Sequence, residues 1–419
     1  MFDLAISGKI VDPIDGVYDA NLMIIKSKIE KIRDKAMQAK HSIELASSQL
    51  IFPGFIDPHV HMREPGLEYK EDFLSGSKAA LHGGVTTVAD MPNLPEPIVN
   101  KERLLRKKQL ANKSFMDILH LGGLGSPSEI RELAPFVPAF KIYTAESNRT
   151  RPLTWNEIEA ATRLIAAEKK PITFHCEDQE INGKAKEKLK NKSYPEKHCD
   201  ERPPESEITA VQNAASICRK FNAKANIAHI STAKSVKIVS VNKDLMTCEV
   251  TPHHLFFRKE DMRKYGNLLK VNPPLRSESE RSALLRALKK GRIDMLATDH
   301  APHTMQEKLT AAPSGMPGLD TYSNFVLWLM VKQKLNPKTL ARITSYNAAD
   351  YLNIKNKGRI KENFIADLVV LDKNGKTRIE NKSLYTKCGW SAFNGMTFPG
   401  KVVCTIKNGV IAAKDGIVL

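Results

Sequence analysis

The chain has 419 residues, 42% of them hydrophobic and 26% charged, and its 64 Lys and Arg against 47 Asp and Glu leave a net charge of +17. This is the composition of a folded chain with a large core, and no run approaches the roughly 18 apolar residues of a membrane span. The basic excess would admit nucleic acid, an acidic partner or an anionic substrate, but the lysines of KERLLRKKQ (101–109) and KAKEKLKNK (184–192) are interleaved with acids and apolar residues and lack aromatics, so they read as solvated helix faces rather than a nucleic-acid footprint.

The N-terminus, MFDLAISGKIVDP, begins directly in strand-like sequence, without a secretory signal or membrane anchor. The six cysteines, Cys176, Cys199, Cys218, Cys248, Cys388 and Cys404, are scattered without a CxxC pair, which favours reduced thiols and a cytoplasmic location. Short alternating strands (FDLAISGKIV, ANLMIIKSKIEKI) fill the first 50 residues, and similar ones (ADLVVLD, KVVCTIKNGVIAAKDG) recur near the C-terminus. Residues 1–50 and 358–419 therefore read as two halves of one composite β domain, with 51–357 as the main domain between them.

Within that main domain, eight apolar, β-branched runs are bounded by turn residues, at 50–61, 84–93, 115–125, 137–145, 171–178, 225–231, 246–254 and 293–303. Helix-like segments separate several of them: KEDFLSGSKAALHGG, TWNEIEAATRLIAAEKK, ESEITAVQNAASICRKF and SESERSALLRALKKG, the last with a serine and acids at its start and Gly291 at its end. Eight strands alternating with helices predict an α/β fold, a (β/α)8 TIM-type barrel carrying a small β-sandwich from both termini. A doubly wound open sheet competes less well, because no Gly-rich turn follows the first strand and polar residues gather at strand ends throughout.

In such a barrel the chemistry sits where the strands end. The first run ends IDPHVHMREPG (56–66), and strand alternation points His59 and His61 to one face, where two neutral imidazoles can chelate one metal. The fifth strand ends at His175, the sixth at His229 and the eighth at Asp299. A lone histidine after an apolar run is ordinarily a satisfied core residue; four histidines and an aspartate at one end of one barrel point to a metal site. His41, His82, His120 and His198 lack that placement and read as structural. Lys141, in AFKIYTA on the fourth strand, is costly to bury beside a metal unless it points outward or is carboxylated to an anionic ligand.

HVHMREPG, MPN (91–93), KIY (141–143), HCEDQEI (175–181), AHIS (228–231), CEVTPHHL (248–255), VNPPLR (271–276) and TDHAPH (298–303) resemble, in order, the signatures of class I dihydroorotase in the amidohydrolase superfamily. The likeness runs over most of the chain. It implies a binuclear zinc site in which His59 and His61 hold the more buried metal, His175 and His229 the more exposed one, and carboxylated Lys141 bridges them. Asp299 is implied as ligand of the buried metal and as general acid/base, Arg63, Asn93 and His303 as binders of the substrate carboxylate, and Asn272 as a contact to the pyrimidine ring. The implied reaction is reversible cyclisation of N-carbamoyl-L-aspartate to L-dihydroorotate in pyrimidine biosynthesis, in which paired metals supply a nucleophile at neutral pH and the planar fork of Arg63 suits the carboxylate.

Allantoinase- or hydantoinase-type cyclic amidases share the histidine, lysine and aspartate positions but generally lack the arginine of HVHMR and the MPN and VNPPLR neighbourhoods. A noncatalytic scaffold for aspartate transcarbamoylase is a further alternative, disfavoured because every metal position is retained. An active enzyme leaves room for a homodimer and for association with that same partner. The polar stretch 144–155 suits a mobile lid or an inert connector, and Glu249 and His254 read as hydrogen-bonding support for the metal shell rather than as a further metal site.

Overall fold

The computed structural model describes residues 1–35, 37–147 and 151–419. Eight short parallel strands form a barrel: Phe55–Val60, Val85–Asp90, Asp117–His120, Phe140–Tyr143, Ile172–His175, Ala225–Ile227, Met246–Val250 and Met295–Leu296. The first three pair in sequence, as do the last five. Parallel bridges from Gly122 to Phe140 and from Val60 to His300 join the two groups, and His61 N–H donates to the His300 carbonyl at 2.7 Å. The ring closes, so the strands leave no sheet edge, and side chains of both faces are buried, which is why they read as continuous apolar runs.

The four expected helices are present as Phe73–His82, Trp155–Ala167, Pro204–Phe221 and Glu278–Lys289. Their starts are set locally: Asp72 and Thr154 each cap the first turn in a reciprocal capping box. The helix at 204–221 begins with Pro204 in its first turn and ends at Asn222 in the left-handed region. Among the described residues no helix is long and apolar enough to cross a membrane.

The run 50–61, read from sequence as one strand, is two. Gln49–Pro53 pairs antiparallel with Leu368–Arg378 and parallel with Phe2–Asp12, whereas Phe55–Val60 begins the barrel. Gly54 makes the break: its N–H donates to the Asp367 carbonyl at 2.7 Å, and a Cβ there would lie 2.5 Å from Thr86 Oγ1, so only glycine fits. Nine strands from both termini form one hydrogen-bonded sheet, folded as a β-sandwich over Ile6, Ile10, Leu22, Ile24, Ile51, Leu368, Val370 and Ile406. Alternation sends the neighbouring Leu50, Phe52, Val369 and Leu371 the other way, into the main core of the barrel.

Candidate active site

Asp57, His59 and His61 share one face at the end of the first barrel strand. Asp57 Oδ1 accepts the N–H groups of His59 and Thr298, both at 3.1 Å, and Oδ2 accepts the Thr298 hydroxyl. The end of the first strand is thereby tied to the end of the eighth, one residue before Asp299. Burial pushes the Asp57 carboxyl up to about 8, against the pull of these hydrogen bonds.

His59 Nδ1 faces the fully buried carboxylate of Glu249, which is held in turn by Asn226 Nδ2 at 2.8 Å and the His229 N–H at 3.4 Å. This leaves His59 Nε2 toward the mouth, 3.5 Å from Asp299 Oδ1 and 3.4 Å from Lys141 Nζ. His61 donates from Nδ1 to Asn93 Oδ1 at 2.8 Å and presents Nε2 3.1 Å from the same Asp299 oxygen. One donor atom from each of His59, His61 and Asp299 lies within 4.8 Å of the other two, close enough to hold one cation. Burial drives His61 down to about 4, which keeps its ring neutral and ligand-competent at pH 7. Burial alone would raise Asp299; the rings of His59, His61 and His229 around it outweigh that and hold it well below the usual carboxylate range.

A second donor pair lies alongside. His175 Nδ1 faces His229 Nε2 at 2.9 Å, and the His59 and His229 ring centres are 5.2 Å apart. Glu177 Oε2 accepts from His175 Nε2 at 2.9 Å and is itself paired with Arg202, so the His175 lone pair is on Nδ1, aimed at His229. Burial lowers both histidines, and His229 Nδ1 has no hydrogen-bond partner. Two neutral nitrogens turned on each other in a buried site fit a divalent cation better than they fit one another. Lys141 is 2% exposed, no carboxylate of the described residues is within ion-pair distance of it, and burial lowers its amine to about 8. A neutral amine is the form that adds carbon dioxide, so the site fits the modified side chain as well as the metals.

Three of these residues have left-handed backbone: Arg63 at φ 64°, His229 at φ 37° and Asp299 at φ 47°. None is glycine, and each such residue costs on the order of 1–3 kcal/mol, strain that the surrounding fold must hold in place.

Beyond the histidines, a cleft of about 870 Å³ opens past Arg63, Asn93, Lys141, Tyr143 and His303 toward an apolar wall that includes Leu94, Leu124 and Leu164. Arg63 is 4% exposed; its Nε donates to the Pro302 carbonyl at 3.0 Å and its Nη2 lies 3.2 Å from His303 Nε2. Asn272 stands on the far wall of the histidine cavity, its Oδ1 accepting from Ser314 Oγ at 3.1 Å and its Nδ2 3.5 Å from Ser147 Oγ. The ten side chains singled out from sequence thus line two adjoining cavities, which share Asn93 and Tyr143. His254 does not: it is engaged by Thr251 Oγ1 at 2.8 Å and the Pro273 carbonyl at 3.0 Å. Residues 148–150 of the 144–155 stretch lie outside the described residues.

Sequence reasoning missed Asp57, Glu177 and Asn226. Asp57 and Glu177 carry a local signal, since each stands two residues from a site histidine, Asp57 on the same face of its strand and Glu177 just beyond the end of its own. Asn226 carries none, because its partner Glu249 stands on the next strand, 23 residues away.

The amidohydrolase family profile matches residues 50–412. Over its full length the chain is 34% identical to the dihydroorotase of Methanothermobacter thermautotrophicus, covering 96% of that protein, and over 93% of its length it is 36% identical to the dihydroorotase of Pyrococcus furiosus, covering 88% of it. Among solved structures, the L-hydantoinase (dihydropyrimidinase) of Arthrobacter aurescens superposes with a TM-score of 0.95 at 25% identity, covering all of this chain and 98% of its own. The D-hydantoinase of Thermus sp. gives 0.90 at 26% identity, covering 99% of this chain and 96% of its own. Members of this family are metal-dependent, and a His-His-Asp cluster at the mouth of a closed barrel is the feature such dependence requires. With the profile spanning the whole barrel and relatives above 30% identity along nearly the entire chain, the chain belongs to the amidohydrolase family.

Proposed function

We propose that the chain is a dihydroorotase, interconverting L-dihydroorotate and N-carbamoyl-L-aspartate. The observation that carries the reading is the buried pair Arg63 and His303, suited to a carboxylate, in a cleft that adjoins the cavity of the convergent donors His59, His61 and Asp299, the two sharing Asn93 and Tyr143 as lining. The names of the curated relatives support it.

His59, His61 and Asp299 would hold one zinc ion, His175 and His229 a second, with carboxylated Lys141 between them. Zinc there would supply Lewis acidity, polarising a carbonyl and lowering the pKa of water so that a nucleophile is available at neutral pH. In ring opening, Asp299 takes the proton of the attacking water and delivers it to the ring nitrogen as the C–N bond breaks; ring closure is the reverse. Arg63, His303 and Asn93 fix the carboxylate remote from that bond, and Asn272 meets the ring. Asn93 has a second task, since its Oδ1 already orients His61.

A hydantoinase-type cyclic amidase is the second reading, favoured by the superposition on those enzymes. Dihydroorotate differs from a simple cyclic ureide by its carboxylate, and beyond its bond to the Pro302 carbonyl the buried Arg63 fork offers a partner suited to that anion. The test is ultraviolet-monitored interconversion of L-dihydroorotate and N-carbamoyl-L-aspartate by zinc-loaded protein with bicarbonate, with and without chelator, beside allantoin and hydantoins. Chelator-sensitive turnover of dihydroorotate in both directions is expected; turnover of a hydantoin alone would replace this reading with the second. A homodimer, association with aspartate transcarbamoylase and a cytoplasmic location are further expectations. Sedimentation of the chain alone and with that enzyme tests the first two.

A further inference from the structure

Lys70 opens the segment KEDFLSGSKAALHGG but belongs to none of the site motifs; it lies on the turn that follows Arg63. It is 6% exposed, and its Nζ stands 3.0 Å from His303 Nδ1 and 2.8 Å from Glu307 Oε1. Glu307 Oε2 is 3.8 Å from the same His303 nitrogen, so the ammonium bridges a ring and a carboxylate that are themselves close. On its other side, His303 Nε2 is 3.2 Å from the Ser314 carbonyl and 3.2 Å from Arg63 Nη2.

An ammonium can only donate, so beside Lys70 the Nδ1 of a neutral His303 must carry the lone pair and Nε2 the proton. Nε2–H then donates to Ser314. Arg63 Nη2, whose N–H is aimed at that nitrogen, then meets a second donor rather than an acceptor, so this arm of the fork is not satisfied by the ring and is left to an incoming anion. Exchange the tautomer and the outcome inverts: bare Nε2 accepts from Arg63 Nη2, and the guanidinium is spent inside the protein. Without Lys70, Glu307 would favour that exchange by drawing a proton onto Nδ1. Burial, with Arg63 and Lys70 beside the ring, pushes His303 far below its ordinary range, so the neutral tautomers are the states that matter.

We propose that Lys70 is a positioning residue: by donating to His303 Nδ1 and occupying Glu307 it fixes the Nε2–H tautomer, and so reserves Arg63 for the substrate carboxylate. The inference rests on the dihydroorotase reading.

The test compares metal-loaded full-length protein with Lys70→Met, Lys70→Met/Glu307→Gln and Arg63→Met variants. Steady-state kinetics on L-dihydroorotate are paired with long-range ¹H–¹⁵N spectra of the histidine rings. Lys70→Met is expected to raise KM about tenfold, with kcat changed less than about threefold, and to move His303 away from Nε2–H. Removing the Glu307 charge as well should restore the tautomer and most of KM, because glutamine keeps the helix cap while ending the pull on Nδ1. A wild-type tautomer in Lys70→Met, an unchanged KM, or no recovery in the double variant overturns the proposal. An unchanged KM in Arg63→Met, or no dihydroorotate turnover by the parent, strikes the reading beneath it; the ring spectra still report whether Lys70 governs His303.

Discussion

Glu249→Gln isolates the contribution of one buried charge to metal affinity. The side chain is fully buried and accepts from His59 Nδ1, Asn226 Nδ2 and the His229 N–H. Glutamine has the same shape, and its carbonyl oxygen can still serve His59 and His229. Its amide group would meet Asn226 Nδ2, donor against donor. That conflict is relieved by turning the Asn226 amide, whose Oδ1 now accepts from Thr247 Oγ1 at 3.0 Å, a hydroxyl that can accept as readily as donate. The fold should therefore survive. What is lost is the charge that makes His59 a stronger donor to metal, and the loss of such an outer partner costs about 10–100-fold in affinity, or about 1.4–2.7 kcal/mol. Dialysis against a graded series of chelator-buffered zinc, followed by metal analysis, gives the midpoint for parent and variant, while thermal melting confirms that both are folded. A variant with the parental midpoint would refute the claim that Glu249 acts through His59.

Asp299→Ala is expected to abolish turnover in a folded protein; residual activity above about 1% of the parent would remove Asp299 from proton transfer. Lys141→Ala should lose metal and activity, with partial recovery by short carboxylic acids, and full activity without them would show that Lys141 is no ligand. Lys308 is buried with its Nζ on the carbonyls of Lys270, Pro313 and Gly315, and burial lowers it from 10.5 to about 7. The unfolded chain holds the proton to higher pH than the folded one, so this residue makes stability rise with pH between about 7 and 10.5, the cost of burying the cation being fully present below 7. Denaturant unfolding across that window should show a shallower pH slope for Lys308→Met than for the parent, and identical slopes would contradict the assignment.

The barrel was legible because each strand is an apolar run that stops abruptly at a polar residue, and the stopping residues His59, His61, His175, His229 and Asp299 are the ones the closed ring brings together. The break at Gly54 was not, since Ile51, Phe52, Phe55 and Ile56 are all buried and no change in hydropathy separates two strands that serve different sheets. Likewise Arg63 announced itself by its distance from the histidines, whereas the contact between Lys70 and His303 spans 233 positions and has no local correlate. Local patterning shows which side chains face inward; only closure of the barrel shows which of them meet.

The terminal sheet has a consequence for how the protein is made. Strand Gln49–Pro53 sits between Phe2–Asp12, which leaves the ribosome early, and Leu368–Arg378, which leaves it only after the whole barrel. Throughout synthesis of the intervening residues, its pairing edge and the apolar face of Ile6, Ile10 and Ile51 await their counterparts. The nascent chain thus carries an incomplete sheet until its last eighth emerges, the interval in which a chaperone or a stray strand from another chain would find it.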